Sequence, residues 1–573
     1  VMVGANAEEY KYTQYSARRY NLLDNSLPGL GLTDGLTYDN EGNPQYTHMT
    51  IGSDDLCSAT AGFFGRINYD YKGIYLFEAN GRYDGSSRFP AADQWAFFPS
   101  FSAGYRFSEE GYFKSLKSWW SNGKLRASWG QVGNEAIGTD MFLSVFGKPA
   151  NLNWLNGSGS GLIKGQGLPS LVSSTLTWER IQTTDVGIDL GFFNNSLNLT
   201  FDWFQRETKD MLAPGNALPQ VLGAASPLMN KGTLRTRGWE LGISWNHSFG
   251  DWDVYANASI YDGVTKVVEY NNETKLLNEF YSGATYGDIW GFETDRYFTT
   301  DDLGADGKLD YITAKNPNGK VADQTDMQLG TFVYGPGDIK YKDLNGDGVI
   351  DAGKRTKDDH GDLKVIGNTL PRYEYSFRIG GAYKGFDLDL FFQGVGKRDF
   401  WTTSAMVLPL ARTWGGVDAI YENQMSYNKI LYDDNNQIIG YQIDQDNRFP
   451  ALFGGANATG NVSGIGRGTN NFYPQSRYLM NMAYLRFKTL TFGYTLPAEI
   501  TKKALIERAR IYFSADNLCL LYNGMKDYPI DPEIGSQWTT TAGSNNGTTG
   551  SQLYFGRTAP MMRSFAFGIQ VTF

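Results

Sequence analysis

The chain has 573 residues, 61 acidic against 51 basic, with a formal net charge of −10. That length exceeds one compact soluble core and points to several domains or one large barrel. The acidic balance without a basic block argues against a nucleic-acid partner, and three His with two Cys exclude a Cys/His zinc framework. Cys57 and Cys519 lie far apart and read as two unpaired thiols. Aromatics reach 15% and Gly 68 residues, yet no run of ~18 apolar residues exists to form a membrane helix. Strands that face lipid on one side and water on the other average to just such a polar hydropathy.

The chain opens Val1-Met2-Val3-Gly4, inside what reads as a strand, with no initiator Met and no signal peptide. The expectation is a mature, cleaved product or part of a longer chain. From there the dominant pattern is period two. Phe63, Ile67, Tyr69 and Tyr71 alternate with Phe64, Arg66, Asn68 and Asp70; Tyr75, Phe77 and Tyr83 alternate with Glu78, Asn80, Arg82 and Asp84. The same dyad recurs at Val186–Phe192, Leu197–Trp203 and Trp239–Trp245. About fourteen strands are expected, near residues 1–13, 58–71, 74–84, 97–107, 124–133, 176–193, 196–211, 234–248, 252–268, 373–383, 386–398, 482–496, 508–522 and 561–573. Lys72-Gly73, Asn194-Asn195 and Lys384-Gly385 read as two-residue hairpin turns, and 497–507 as a turn with one short helix.

The links alternate. Long ones follow residues 13, 84, 133, 211, 268, 398 and 522; short ones fall near 72, 108–123, 194, 250, 384 and 497–507. In an up-and-down meander this puts the long loops at one end, as in outer-membrane barrels. The last strand places Phe565, Phe567, Ile569, Val571 and the terminal Phe573 on one face, as a C-terminal sorting strand would.

These stretches resemble the barrel of SusC/RagA-type TonB-dependent transporters of the Bacteroidota. The matching residues include 64–89, Lys124-Leu-Arg-Ala-Ser-Trp-Gly-Gln-Val-Gly-Asn134, Gly337-Asp-Ile-Lys-Tyr-Lys-Asp-Leu-Asn-Gly-Asp-Gly-Val-Ile-Asp351, 484–497, 510–517 and Asp531-Pro-Glu533, spread over 58–573. The resemblance implies an all-β, transmembrane, antiparallel up-and-down barrel of 22 strands in the bacterial outer membrane. About fourteen strands are here, so residues 1–573 are expected to be the C-terminal portion, with no plug domain. It also implies partners: a plug and N-terminal barrel portion, a SusD-like surface lipoprotein, the TonB–ExbB–ExbD complex and outer-membrane lipid. The cargo would be an oligosaccharide or, as an alternative, a peptide. A passive porin or adhesin, and a secreted β-sandwich glycan-binding enzyme, are the competing classes.

Two motifs carry local chemistry. Asp343, Asn345, Asp347, Val349 and Asp351 match positions 1, 3, 5, 7 and 9 of a calcium loop, with Gly348 for the sharp turn. Position 12 is Lys354, so Asp358, Asp359 or Asp362 would have to complete a Ca²⁺ shell; the competing reading is an Asx-rich turn. Asp302, Asp306 and Asp310 imitate the pattern weakly. No catalytic set stands out: His48, His247 and His360 lack a nucleophile motif, His247 reads as pore- or rim-facing, and Asp531 with Glu533 read as solvated turn residues. The chain is therefore expected not to be an enzyme. Loop aromatics, chiefly Tyr286, Trp290, Trp401 and Trp414, are the candidate cargo-binding platforms, against loop packing as the plainer alternative.

Overall fold

The computed structural model describes residues 1–19, 50–144, 150–155, 162–165, 169–173, 176–215, 218–222, 226–328, 332–402, 407–408, 426–435, 437–451, 471–528, 530–533 and 561–573, with isolated residues between 30 and 45 and at 146. Fourteen strands form one antiparallel sheet in sequence order. They are β1 Met2–Arg18, β2 Thr50–Tyr71, β3 Tyr75–Ser86, β4 Trp95–Tyr105, β5 Trp120–Asn134, β6 Glu179–Phe192, β7 Leu197–Pro214, β8 Leu228–Phe249, β9 Trp252–Glu269, β10 Arg372–Tyr383, β11 Phe386–Lys397, β12 Tyr484–Thr495, β13 Arg508–Asn523 and β14 Ser564–Thr572. Each expected strand is present. Antiparallel neighbours joined in order need only local connections, which is why the meander is the simplest route for this chain.

Turn chemistry sets the short links. Lys384 and Gly385 (φ 46° and 90°) form the expected two-residue hairpin between Tyr383 and Phe386; Lys72 and Gly73 (58° and 66°) and Asn194 and Asn195 (56° and 62°) also take positive φ, but their links are longer, 72–74 and 193–196. Residues 497–507 hold the expected helix, Ala498–Thr501, followed by a 3₁₀ turn, Lys502–Ala504. The alternation of link length fails once: β3 and β4 are joined by the short 87–94, while the link 106–119 is longer and coils through two 3₁₀ turns.

The chain divides into two compact units. One contains Val1–Tyr105, Ala127–Thr184 and Arg206–Thr233; the other contains Arg106–Arg126, Asp185–Gln205 and Leu234–Phe573. In the first, β1 and β2 pair without a slip from Met2↔Arg66 to Arg18↔Thr50. Both run past the residues where sequence alternation fades: 50–57, with Ile51 and Leu56 on opposite faces among polar neighbours, shows no alternation and is held by its partner strand, not by its pattern. Leu176 and Trp178, expected within a strand, instead precede β6 and are buried with Phe89 and Phe98; the Trp178 indole N–H donates to the Gln94 carbonyl at 2.9 Å.

Burial in the sheet is inverted relative to a soluble protein. Phe63, Ile67, Tyr69, Phe77 and Phe97 are exposed in the first unit, and Val186, Trp203, Phe386, Phe492 and Phe567 in the second. A water-soluble sheet would cover such a surface; a lipid-facing one presents it. The opposite face is polar and paired, as with Arg66 Nε donating to Asn80 Oδ1 at 2.6 Å in the first unit. In the second, Arg126 holds both Asp189 (2.9 Å) and Asp202 (2.9 Å), Arg510 holds Asp387, and Asp389 accepts from Arg378 and the Tyr255 hydroxyl.

The extensive apolar core of the second unit lies in its loops. Residues 270–371 and 398–483, with the start of 524–563, bury Phe292, Tyr297, Phe298, Ile339, Tyr341, Ile350, Met480, Met482 and Met525 together. Short antiparallel ladders frame it: Asp288–Phe292 with Leu363–Asn368, and Thr294–Tyr297 with Ile339–Tyr341.

Candidate functional site: the loop core and the polar face

The calcium-like loop begins directly after Ile339–Tyr341. Gly346 and Gly348 take φ of +79° and +83°, so the chain doubles back where glycine alone is unstrained. Asp343 accepts the Gly346 amide at 2.6 Å and the Gly348 amide at 2.9 Å; Asn345 accepts from Asp347, Asp347 from Val349, and Asp351 from Gly353. Asp362, fully buried, spans the loop's ends by accepting Leu344 N–H at 2.6 Å and Asp351 N–H at 3.0 Å. Burial pushes the Asp362 carboxyl up, and those amides oppose the shift. Asp359 pairs with Lys354 and Asp358 with Lys275. The Lys354 contact holds Asp359 below the usual carboxylate range.

Each loop carboxylate has four acceptor directions, so these bonds leave lone pairs for a cation. Among the described residues, however, no three His, Cys, Asp or Glu side chains converge on one point. The oxygens thus suit a self-satisfied Asx loop as they stand, and a hard cation would have to draw them inward. The weaker imitation is dispersed. Burial pushes the Asp302 carboxyl up, but the Arg296 clamp (2.7 and 2.6 Å) and the Thr299 amide together hold it below the usual carboxylate range. Asp306 accepts its own loop's Lys308 amide, and Asp310 accepts from Asn316.

The candidate aromatic platforms separate. Tyr286 stacks on Phe280 with centroids 5.1 Å apart, and Trp290 packs on the Val267–Tyr281 cluster with His360 5.4 Å away. These two share one neighbourhood. Trp401 is 6% exposed in the large loop core, which makes it a packing residue in this conformation. Trp414 and His48 lie outside the described residues. His247 is exposed, two residues before its turn, and its ring meets Phe249 at 4.3 Å; it shares the apolar face, so it sits at the rim and not toward the polar side.

Two groups escaped the sequence reading. Asp531 and Glu533 are not solvated: Arg486, 4% exposed, reaches Asp531 at 2.5 Å and Glu533 at 3.0 Å, and Lys488 also binds Glu533. Register shifts at Leu485/Arg486 and Phe487/Thr489 mark β-bulges that aim both cations at this cluster. The signal available in the sequence was two cations two residues apart in a strand otherwise apolar on that face. The second group is a set of buried polar side chains, Gln324, Asp338, Asn428, Asn471 and Gln475, each at most 3% exposed. On the polar face of the first unit, a hollow of about 580 Å³ is lined by Arg66, Glu78, Asn80, Arg82, Ser128 and Gln131.

An antiparallel meander with one exposed apolar face, one paired polar face and long links between strands fits the wall of a transmembrane β-barrel of the outer membrane. The family assignment follows from comparison with known proteins. Residues 3–518 match the family described as TonB dependent receptor-like, beta-barrel, and the chain belongs to it. TonB-dependent receptor P3 of Formosa agariphila is 27% identical over 543 residues, covering 89% of this chain and 45% of that protein. TonB-dependent receptor SusC of Bacteroides thetaiotaomicron is 29% identical over 294 residues, covering 45% of this chain and 28% of its own length. A solved RagAB peptide transporter structure superposes over the whole chain with a TM-score of 0.67 at 19% identity, covering 53% of its own chain. The chain spans about half the length of the three Formosa relatives it matches. Family members are receptors and transporters, and the SusC/RagA-type resemblance stands.

Proposed function

We propose that this chain is the C-terminal barrel portion of an energised importer of the outer membrane. The observation that carries the reading is the sheet itself: apolar residues exposed on one face, paired charges on the other, and loops large enough to hold their own core at one end. A polar, ion-paired wall suits a hydrated conduit, and the loops supply the surface where cargo first lands. The plug, the N-terminal barrel portion, a SusD-like lid over the loops and TonB–ExbB–ExbD would supply gating and energy. This chain's part is to hold cargo, dock the lid and exclude lipid.

For cargo, the reading is an oligosaccharide. Flat aromatic faces beside amides and carboxylates match the apolar and polar surfaces of a sugar, and Tyr286 with Trp290 form one such neighbourhood. A peptide is the second reading, favoured by the fold likeness to a structure described as a peptide transporter. Calorimetry of the intact assembly with glycans and peptides separates them: binding by peptides alone removes the oligosaccharide reading.

Calcium in the 343–351 loop is the further part of the proposal, supported by oxygens at alternate positions with lone pairs to give. Bound there, the ion would stiffen the 270–371 loop. Metal analysis of the dialysed protein is expected to retain calcium and to lose it in Asp343→Ala; no retained calcium overturns this part.

A further inference from the structure

Asp338 is 1% exposed and lies where three loop segments meet. Its Oδ1 accepts the Asn471 side-chain N–H at 2.7 Å, and its Oδ2 accepts the Gly335 amide at 2.9 Å. Around it the contacts run across segments distant in sequence. Asn471 Oδ1 accepts the Ile339 amide at 2.8 Å; Gln324 bridges the Ile339 carbonyl (2.9 Å) and the Tyr341 amide (3.0 Å). Gln475 donates to the Tyr341 hydroxyl and to the Asn471 carbonyl. Asn428 donates to the Gly337 carbonyl, which also accepts the Ala451 amide at 2.9 Å. The backbone has no slack here: Gly337 has φ +95°, and a Cβ on it would meet the Ala451 Cβ at 2.9 Å.

We propose that Asp338 is a proton-dependent clasp that fastens segment 332–342 to segment 471–482, beside the Gly337 contacts to Asn428 and Ala451, gripping more tightly as pH falls from neutral and loosening as pH rises. The clasp is built from a carboxyl group whose partners are dipoles. Among the described residues no Lys, Arg or His forms an ion pair with it. The titratable groups coupled to its charge are phenols: Tyr311, Tyr334 and Tyr341 from its own loop, and Tyr432 and Tyr441 from 426–451. Asp323 stands near Tyr311, and Tyr473, from the third segment, near Tyr341. Burial pushes all five phenols up, so they stay neutral across the range that matters and give the carboxylate no counter-charge.

Burial therefore raises the Asp338 carboxyl to about 7, with Asn471 and the Gly335 amide opposing the shift. With the clasp open, the group faces water and returns to roughly 3.9. The closed form thus holds a proton that the open form releases between those two values. Closure is strongest in acid, weakens as pH rises toward about 7, and is flat above it. Above pH 7 the clasp still closes, held by the amide network, but without the proton's contribution. Nothing in this depends on the cargo.

The test is hydrogen exchange of the intact transporter in detergent from pH 5.5 to 8.5, corrected for intrinsic chemical exchange. Peptides covering 333–343 and 471–480 report the clasp; β11 is the internal reference. The wild type should open on the order of ten-fold or more as pH rises from 5.5 to 7.5, and no further at 8.5. Asp338→Asn should remove the slope while keeping the protected peptides. Asn471→Ala, which deletes the donor favouring the ionised form, should move the inflection to higher pH. A flat wild-type profile, a slope that survives Asp338→Asn, or an inflection unmoved in Asn471→Ala overturns the proposal.

Discussion

Replacing Arg486 with Met tests how the start of the 524–563 loop is fixed to the sheet. Arg486 is 4% exposed and faces two carboxylates, Asp531 and Glu533, that are 11% and 20% exposed. Lys488, 14% exposed, also binds Glu533 and would remain. Removing one partner of a buried ionic group leaves charge without compensation, a cost of about 3–5 kcal/mol. Retention of Lys488 puts this case near the lower end, about 3 kcal/mol, or roughly a hundred-fold in local opening. The Arg486 Nε and Glu533 Oε2 are 3.0 Å apart but poorly aligned as a hydrogen bond, so the Asp531 contact carries more of the interaction. The assay is hydrogen exchange of peptides covering 524–533, alone and in a cycle with Asp531→Leu, which leaves the Lys488–Glu533 pair in place. Arg486→Met should expose the segment strongly, and the combination with Asp531→Leu should recover much of the protection, because the charges that remain, Lys488 and Glu533, still compensate each other. Equal exchange in wild type and Arg486→Met, or effects that simply add across the cycle, would refute the reasoning.

Other outcomes follow from the same structure. Phe567→Arg on the exposed apolar face of β14 should cost about 2–4 kcal/mol in folding into bilayers if it lies near the midplane, whereas Asn80→Arg on the polar face should cost far less; equal costs would contradict the assignment of faces. Trp401→Ala should destabilise the loop core by about 3–5 kcal/mol, seen as a lower protease-resistance midpoint. Trp290→Ala should weaken cargo binding in calorimetry, with a smaller loss of loop stability.

The strands were legible because a sheet between lipid and water imposes an unbroken apolar–polar alternation, and because Lys-Gly and Asn-Asn pairs tolerate the positive φ of tight turns. Legibility failed where a different force takes over. The extensions of β1 and β2 are specified by backbone pairing with each other, so their side chains need no pattern. Trp178 reads like any strand aromatic, but it serves a small buried cluster. The loops were the least readable: Trp401 has the composition of a sugar platform and the burial of a core residue. Asp338 lies five residues before the conspicuous Asp343 loop, and a lone acidic residue gives no sign in sequence that three distant segments will close over it. Asp531 and Glu533 looked like solvated turn residues because their cations sit some 45 positions away, as in the Lys488–Glu533 contact.

The central claim is that this barrel portion serves energised import and not passive leakage. The measurement that addresses it most directly is uptake of labelled oligosaccharide by cells carrying the intact transporter, with the proton gradient present and then dissipated. The account predicts saturable uptake that stops when the gradient collapses and that is lost in cells without TonB. Uptake that is linear in concentration and indifferent to both would contradict it.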